Sequence, residues 1–360
     1  MNPCATQLIQ RVNKTNGARL WIVDENISSE TIAQIQPDPQ LSAITNRYDI
    51  AEQLKLRGIN TLLNDFELNQ CSPIATVIYQ VSKERALVQH CIFSAASLLE
   101  ANGRLYLVGE KNTGVKTHGK FAEQLCRTKM SMEKHGLCYL VTISKTKNIN
   151  ANDFDDTYPV LRPMQIGDFQ FYSKPGVYGW KKIDVGSHLL LAKTKPILQN
   201  IATENLSVLD IGCGYGYLTV NFADLPFRKR IATDNNVAAV MAAERNFLER
   251  GLSVETVLDD CGRHLTEKVD VILCNPPFHQ GFEHDKTLIT RFVNASLNLL
   301  ANNGMAFFVV NEFIPLSKVI TQTNGLCELL AHEQGFKVYC VSRNRKDLDA
   351  LAKVDPKTDE

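Results

Sequence analysis

Short apolar runs alternate along this chain with longer stretches in which apolar residues recur every three or four positions. The first pattern belongs to strands buried on both faces, the second to amphipathic helices. In the second half the runs fall at 206–211, 230–234, 254–258, 269–274, 303–312 and 336–341. Helical stretches cover 187–199, 237–250 and the residues leading to Leu300, and Gly251 is placed as a C-cap. Strands alternating with helices pack as a mixed, mostly parallel sheet covered on both faces, so the expected fold class is α/β and Rossmann-like.

The first half repeats this pattern. A run at 75–79, a helical stretch to Leu99 and a run at 102–110 beginning Asn102-Gly103 match 271–273, the stretch to Leu300 and the run beginning Asn303-Gly304. Residues 43–46 and the helix up to Gly58 parallel 232–234 and the helix up to Gly251. The halves read as a duplication. A chain of 360 residues also exceeds one comfortable core. The expected division is a domain over 1–148, a linker over 149–174, a domain over 175–346 and a charged tail over 347–360. The linker reading rests on the polar, acidic stretch 150–156 and on Pro159 and Pro163, which interrupt any helix. Residues 169–185 are expected to enter over the ligand site.

Four strand ends in the second half carry polar chemistry. After 206–211 comes Gly212-Cys213-Gly214-Tyr215-Gly216, where glycine permits positive φ and close approach of a ligand, and the following helix offers N–H groups. Dinucleotide enzymes favour G-x-G-x-x-G, and here the third glycine comes one residue early. The second strand ends in Asp234, suited to accept both hydroxyls of a ribose. The third ends in Asp259-Asp260, either of which can accept from an adenine amino group. The fourth ends in Asn275-Pro276-Pro277-Phe278. Proline fixes its φ and removes a donor, so the Asn275 side chain and the neighbouring carbonyls face outward as acceptors for a planar amine, with Phe278 placed to stack on its ring. An exocyclic amine is a weak nucleophile because its lone pair is delocalised. Two acceptors favour the pyramidal form that attacks. By itself such a tripeptide marks a turn, and each acid alone a helix cap; the order of the four motifs carries the inference. The first half lacks them: Asn46 stands for the ribose acid, Gln80-Val81-Ser82-Lys83 for the hook, and Asp24-Glu25-Asn26 for the glycine loop.

Over roughly 176–343 this combination resembles the S-adenosyl-L-methionine-dependent methyltransferases that act on exocyclic amines. Pro175-Gly176-Val177-Tyr178, Ile183-Asp184-Val185-Gly186-Ser187, the run from Asn275 to Gly281 and Asn311-Glu312-Phe313-Ile314-Pro315 are similar to the bacterial ribosomal RNA guanine-N2 methyltransferases, in the small-subunit branch. That branch commonly has a small residue and Leu-Pro where this chain has Glu312 and Ile314-Pro315. The resemblance implies two tandem methyltransferase-type domains, the N-terminal one a degenerate copy without cofactor motifs, left for RNA docking or support. It implies S-adenosyl-L-methionine as cofactor and a guanosine of 16S rRNA, in the small ribosomal subunit, as target. Asn275, Pro276 and Phe278 are the expected catalytic residues. Asp210, Gly212, Gly214, Gly216, Asp234, Asp259, Asp260 and Asn275 are the expected cofactor contacts.

Composition trims the alternatives. The ten cysteines form no C-x-x-C pair, no secretory leader precedes them, and no apolar stretch spans a bilayer, which predicts reduced thiols in a cytoplasmic enzyme without a membrane partner. Cys213 and Cys274 read as packing residues rather than nucleophiles. The eight histidines show no metal-ligand spacing, and no metal is expected. Lys and Arg balance Asp and Glu at 39 each, unusual for a general RNA binder. Two basic groups stand out, one between Lys116 and Lys147 and one comprising Lys174, Lys181, Lys182, Lys193 and Lys195. Two other targets keep the same chemistry, a 23S rRNA guanosine or a protein glutamine. A non-catalytic RNA binder would have no use for both the glycine loop and the hook.

Overall fold

The structure, a computed structural model, describes residues 2–69, 71–167, 169–277, 282–346 and 348, the side chains of 151 and 282–286 excepted. Phe278 and the tail beyond 348 lie outside the described residues. The chain divides into two compact units, one of 1–161 with 174–176 and one of 162–173 with 177–360.

The first unit runs α1 (Pro3–Lys14), β1 (Arg19–Ile22), α2 (Ser29–Ala33), β2 (Leu41–Thr45), α3 (Tyr48–Leu56), β3 (Asn60–Leu63), β4 (Ile74–Gln80), α4 (Arg85–Leu98), β5 (Leu99–Glu110), α5 (Val115–Cys126), β6 (Ser131–His135) and β7 (Cys138–Ser144). Its sheet has the order β3-β2-β1-β4-β5-β7-β6, parallel from β3 through β5, with β7 antiparallel to both of its neighbours. Along β1, Leu20 and Ile22 join the core under α4 and α5, whereas Trp21 joins the one under α1 and α3, as a strand buried on both faces requires.

The second unit opens with a two-stranded ribbon, β8 (Arg162–Ile166) and β9 (Phe169–Ser173). It continues with α6 (Val185–Gln199), β10 (Ser207–Ile211), α7 (Tyr217–Asn221), β11 (Lys229–Asp234), α8 (Val237–Glu249), β12 (Glu255–Leu258), β13 (Val269–Cys274), α9 (Phe282–Leu299), β14 (Leu300–Asn311), α10 (Leu316–Gln322), β15 (Leu326–Glu333) and β16 (Phe336–Ser342). The order β12-β11-β10-β13-β14-β16-β15 reproduces that of the first unit strand for strand. The copies share even a local constraint. A Cβ on Gly103 would lie 3.1 Å from the Ala75 carbonyl oxygen, and one on Gly304 would lie 2.9 Å from that of Asp270, so glycine is what lets β5 and β14 start close against the preceding strand.

In the first unit, side chains of the chain itself gather at the strand ends where the second unit has its polar motifs. Asp65, two residues past β3 as Asp260 is past β12, accepts from the Tyr158 hydroxyl at 2.7 Å and from Asn46 at 3.3 Å, and pairs with Lys174. The Lys174 ammonium lies 3.8 Å from the centre of the Tyr158 ring, whose other contacts include His90 at 4.8 Å between ring centres. Tyr158, Lys174 and Asp65 are all buried. This divides the segment 149–174 differently from its reading as a linker. Residues 149–161 and Lys174 complete the first unit's core, and 162–173 form the ribbon of the second. Prolines and acids mark where the helical pattern stops, but carry no sign that Tyr158 is to be buried on an aspartate.

Lys174→Met should destabilise the first unit by about 3–5 kcal/mol, because it leaves the Asp65 carboxylate buried without its cation. Removing both charges with Asp65→Leu and Lys174→Met should cost much less than Lys174→Met alone. Chemical denaturation of the three proteins measures the difference.

Candidate active site

The strand ends that the sequence singles out meet at the carboxyl edge of the second sheet, because β10, β11, β12 and β13 are mutually parallel. That edge is where open α/β sheets place ligands. At the opposite edge, a depression of about 250 Å³ lined by Asn294, Leu297, Asn298, Thr323, Asn324 and Arg343 contains none of the motif residues.

The glycine loop is held from the neighbouring strand. The N–H groups of Gly212 and Cys213 both donate to the Thr233 carbonyl, at 2.8 and 2.9 Å, and that of Gly216 to Cys213 at 2.8 Å. Gly214 donates its N–H to Asp234 Oδ2 at 2.9 Å, while Oδ1 of the same carboxylate accepts from Asn236 N–H at 2.9 Å. These four loop N–H groups are therefore spent inside the protein, and what the glycines supply is room. Gly214 has φ +56 and nothing within 4 Å of where a Cβ would stand. Gly216, at φ +82, could carry a side chain only by displacing the Phe247 ring, 2.6 Å from that Cβ position.

The four acids have different jobs. Asp234 braces the loop. Asp210 lies beneath it, accepting at Oδ2 from the Thr219 hydroxyl at 2.8 Å and from Thr219 N–H at 3.3 Å, while its buried Oδ1 meets no protein donor. Burial, reinforced by the charge of Asp234, raises its pKa to about 7. Asp259 is closed on its own turn, accepting from Asp260 N–H at 2.6 Å, His264 N–H at 2.8 Å and His264 Nδ1 at 2.9 Å. Asp260, the less buried of the two, pairs with Arg291 and accepts from the Cys261 thiol at 3.5 Å.

Asn275 follows β13 directly. Its Nδ2 donates to Asp184 Oδ2 at 2.6 Å and to Ser187 Oγ at 2.7 Å. A carboxylate only accepts, so the amide must turn its nitrogen to Asp184 and its carbonyl the other way. Asp184 is also the N-cap of α6, taking Ser187 N–H at 2.7 Å on the same oxygen, and its Oδ1 accepts from the Tyr178 hydroxyl at 2.9 Å. Pro276 is buried and Pro277 exposed, while Phe278 lies outside the described residues.

Sequence reasoning gave no role to Asp184, Ser187, Thr219 or Asn246. Asp184 was legible as an N-cap, since it precedes a helical stretch with serine three residues on. Asn246 was not. From the middle of α8 it donates to the carbonyls of Tyr172 and Tyr215, at 2.9 and 2.7 Å, and accepts from Tyr172 N–H at 2.6 Å, so the ribbon and the glycine loop share one amide. Behind it Phe171, Tyr215 and Tyr217 pack with ring centres 5.7 to 6.3 Å apart.

The two basic groups are partly engaged inside the protein, while Lys120, Arg127, Lys129, Lys134 and Lys147 of the first stay exposed. Lys145 is buried, donating to the carbonyls of Ser97 and Leu99, and Lys116 lies over the Tyr139 ring at 4.3 Å. Lys174 is buried on Asp65, Lys193 pairs with Glu333 at 2.6 Å and Lys195 with Asp224 at 2.8 Å; Lys181 and Lys182 stay exposed. All ten cysteines are free thiols, and burial pushes those of Cys213 and Cys274 well up, away from nucleophilic chemistry. Among the described residues no group of three or more His, Cys, Asp or Glu side chains is placed to hold a metal ion, and no helix is long and apolar enough to cross a membrane.

The residues at this edge fit an adenosyl sulfonium amino acid. Gly214 leaves open space above the loop, and the partnerless Asp210 Oδ1 offers a carboxylate oxygen to a cationic amine. Comparison with known proteins agrees. The methyltransferase small domain model matches residues 168–340, and its N-terminal companion matches 6–158. The chain is 28% identical over 267 residues to the ribosomal RNA small subunit methyltransferase C of Mannheimia succiniciproducens, covering 74% of this chain and 78% of that protein. It is 27% identical over 273 residues to the protein of that name from Escherichia coli, covering 75% and 76%. A solved T. thermophilus 16S rRNA N2 methyltransferase, in complex with AdoMet and guanosine, superposes with a TM-score of 0.78 at 23% identity over 95% of this chain and 92% of that one, which establishes the common two-domain fold.

Asp210 gives the site a pH signature. Its folded-state pKa is raised from 3.8 to about 7, so the folded protein holds a proton that the unfolded chain gives up. The resulting stability is complete below about pH 4 and is lost as pH rises through about 7. Asp210→Asn removes that dependence. Without ligand its melting temperature should gain on the parent between pH 5 and pH 8, as differential scanning calorimetry at the two values would record.

Proposed function

The chain belongs to the methyltransferase small domain family, and on that premise we propose that it methylates the exocyclic 2-amino group of a guanosine in 16S rRNA with S-adenosyl-L-methionine. The observation that carries this reading is the Asn275 amide, fixed at the carboxyl end of β13 with its nitrogen tied to Asp184 and Ser187 and its carbonyl left as the acceptor. The relatives' names support 16S rRNA over 23S rRNA or a protein glutamine. We place the reaction in the cytoplasm, on the small ribosomal subunit. Neutral net charge with two local basic groups suits a target recognised by its assembled shape better than arbitrary RNA.

The chain's own residues act by holding and excluding. When bound, S-adenosyl-L-methionine supplies an electrophilic methyl group on sulfur. Gly214 leaves it room, Asp210 and Asp234 offer carboxylates toward its amine and ribose, and Asp260 is the better-placed acid for its adenine, because Asp259 is closed on its own turn. Asn275 Oδ1 accepts one hydrogen of the guanine amine, and the carbonyl of Asn275 or Pro276 takes the other. These acceptors gain most as the nitrogen pyramidalises to attack in line, so they lower the barrier more than they tighten binding. The methylated nitrogen is acidic and releases its proton after the transfer, so no strong base is required. A base within RNA structure has to be unpaired or flipped out to reach this edge.

Labelled methyl transfer to small subunits, naked 16S rRNA, large subunits and a glutamine-bearing protein acceptor, followed by nucleoside analysis, tests the reading. N2-methylguanosine in 16S rRNA is the expected product, and label confined to any other acceptor rules it out. Asn275→Ala, saturated with cofactor, should slow single-turnover transfer by about two orders of magnitude, with cofactor affinity changing far less. Asp234→Ala should weaken cofactor binding by about 1.5–3 kcal/mol in calorimetry, the loss expected for a charged hydrogen-bond partner.

A further inference from the structure

We propose that Asp184 and Ser187 are positioning residues for the transfer: together they fix the rotamer of the Asn275 amide and charge its carbonyl oxygen for the substrate amine. This rests on the function proposed above and adds two residues that act through Asn275.

An asparagine amide can turn over by exchanging its oxygen and nitrogen at little intrinsic cost. In the wrong orientation Asn275 would present a donor to an amine that is itself a donor. Asp184 forbids that orientation, because a carboxylate has no proton to give, and the Ser187 hydroxyl, which can accept or donate, adds a second acceptor to the orientation that Asp184 imposes. Asp184 Oδ2 stands 2.6 Å from Nδ2 and Ser187 Oγ stands 2.7 Å from it, so both amide hydrogens are committed on the α6 side. Reversal would set two oxygens against each other at Asp184. The anchor also does electronic work. Hydrogen bonds to both N–H groups, one of them to a carboxylate, shift amide electron density toward Oδ1 and strengthen it as an acceptor.

The anchor is itself held in place. Asp184 Oδ2 takes Ser187 N–H at 2.7 Å as the helix cap, and Oδ1 takes the Tyr178 hydroxyl at 2.9 Å, so the carboxylate cannot swing away from Asn275 without losing both. Gly186 leaves the carboxylate its space. A Cβ there would lie 3.1 Å from Asp184 Oδ2 and 3.1 Å from the Phe336 ring. The chain thus uses the start of α6 to orient a side chain at the end of β13, 88 and 91 residues away in sequence.

Ser187→Ala separates positioning from folding, because it removes one acceptor of the amide and keeps the cap, which uses only the backbone N–H of this residue. Its melting temperature and cofactor affinity should match the parent. Its single-turnover rate on small subunits should fall roughly tenfold, the rate equivalent of one hydrogen bond, and Ser187→Thr should restore it. In an Asn275→Ala background Ser187→Ala should cost nothing further, since the interaction it serves is gone. Parent-like transfer by Ser187→Ala, or an undiminished second loss in the Asn275→Ala background, would overturn the proposal. Asp184→Asn keeps a side chain able to cap, lacks the charge, and should also slow transfer without lowering the melting temperature. A second readout does not depend on the substrate. With asparagine selectively labelled with nitrogen-15, the Asn275 side-chain N–H pair should exchange slowly with solvent in the parent and quickly in Ser187→Ala and Asp184→Asn. Equal exchange in all three refutes the anchor, whereas a parent inactive on RNA with a protected amide refutes the assigned reaction alone.

Discussion

The second unit's site depends on one cross-strand constraint: the end of β11 holds the loop that follows β10. Thr233 gives its carbonyl to two successive loop N–H groups, and Asp234 gives a carboxylate oxygen to a third. Because the two strands are parallel and in register through Ile211 and Thr233, these bonds fall at the same level of the sheet. They turn a glycine-rich segment, the most entropically costly kind of backbone to order, into a fixed rim. The rim in turn places Thr219 over Asp210 and Tyr215 against Asn246. An acid expected to meet the ribose is thus first a structural brace.

The two units show how one sheet order supports opposite outcomes. Both end their first four parallel strands on one edge, and both put polar residues there. In the second unit three glycines keep the backbone back and leave room. In the first the corresponding turn is Asp24-Glu25-Asn26, with Asp24 buried and accepting from the Tyr79 hydroxyl at 2.9 Å, and the edge carries Tyr158 and Lys174 on Asp65. The copy has lost more than its motif residues. Its own aromatic ring and ammonium now satisfy an acid at the level where the other unit keeps Asp260.

Much of this was legible in the sequence because it rests on local chemistry. The strands ending in the glycine loop and in Asn275 are buried on both faces and read as apolar runs, whereas β12, half-exposed at the sheet edge, was legible from its β-branched residues. The duplication was legible because β5 and β14 follow their helices directly and carry the same Asn-Gly pair at their fourth and fifth residues. What escaped was non-local or edge-exposed. β15, with its leucines interleaved with glutamate and alanine, has a helical composition and becomes a strand only by pairing with β16. β6 is exposed over nearly its whole length and has no apolar periodicity to detect. Asp184 and Ser187 were visible as part of a motif, but their contact with Asn275 spans two elements that no pattern along the chain connects. The pairing of individual lysines was hidden for the same reason, since charge in sequence does not reveal that Lys145 and Lys174 are buried while Lys120, Lys129 and Lys147 stay exposed.

Closure of the first unit by Lys174 has a bearing on how the protein emerges from a ribosome. Chains are released from the N-terminus, and early domains tend to fold before later ones are complete. Here the cation for Asp65 lies 109 residues downstream, beyond the ribbon of the second unit. During synthesis the first unit therefore cannot neutralise its buried acid until 162–173 have already been extruded. Those residues must leave as a loop, with both β8 and β9 made before β10, the first strand of the second unit's seven-stranded sheet, exists. The order of translation and the order of domain completion are interleaved in this chain, and Lys174 is the residue at which the first unit becomes whole.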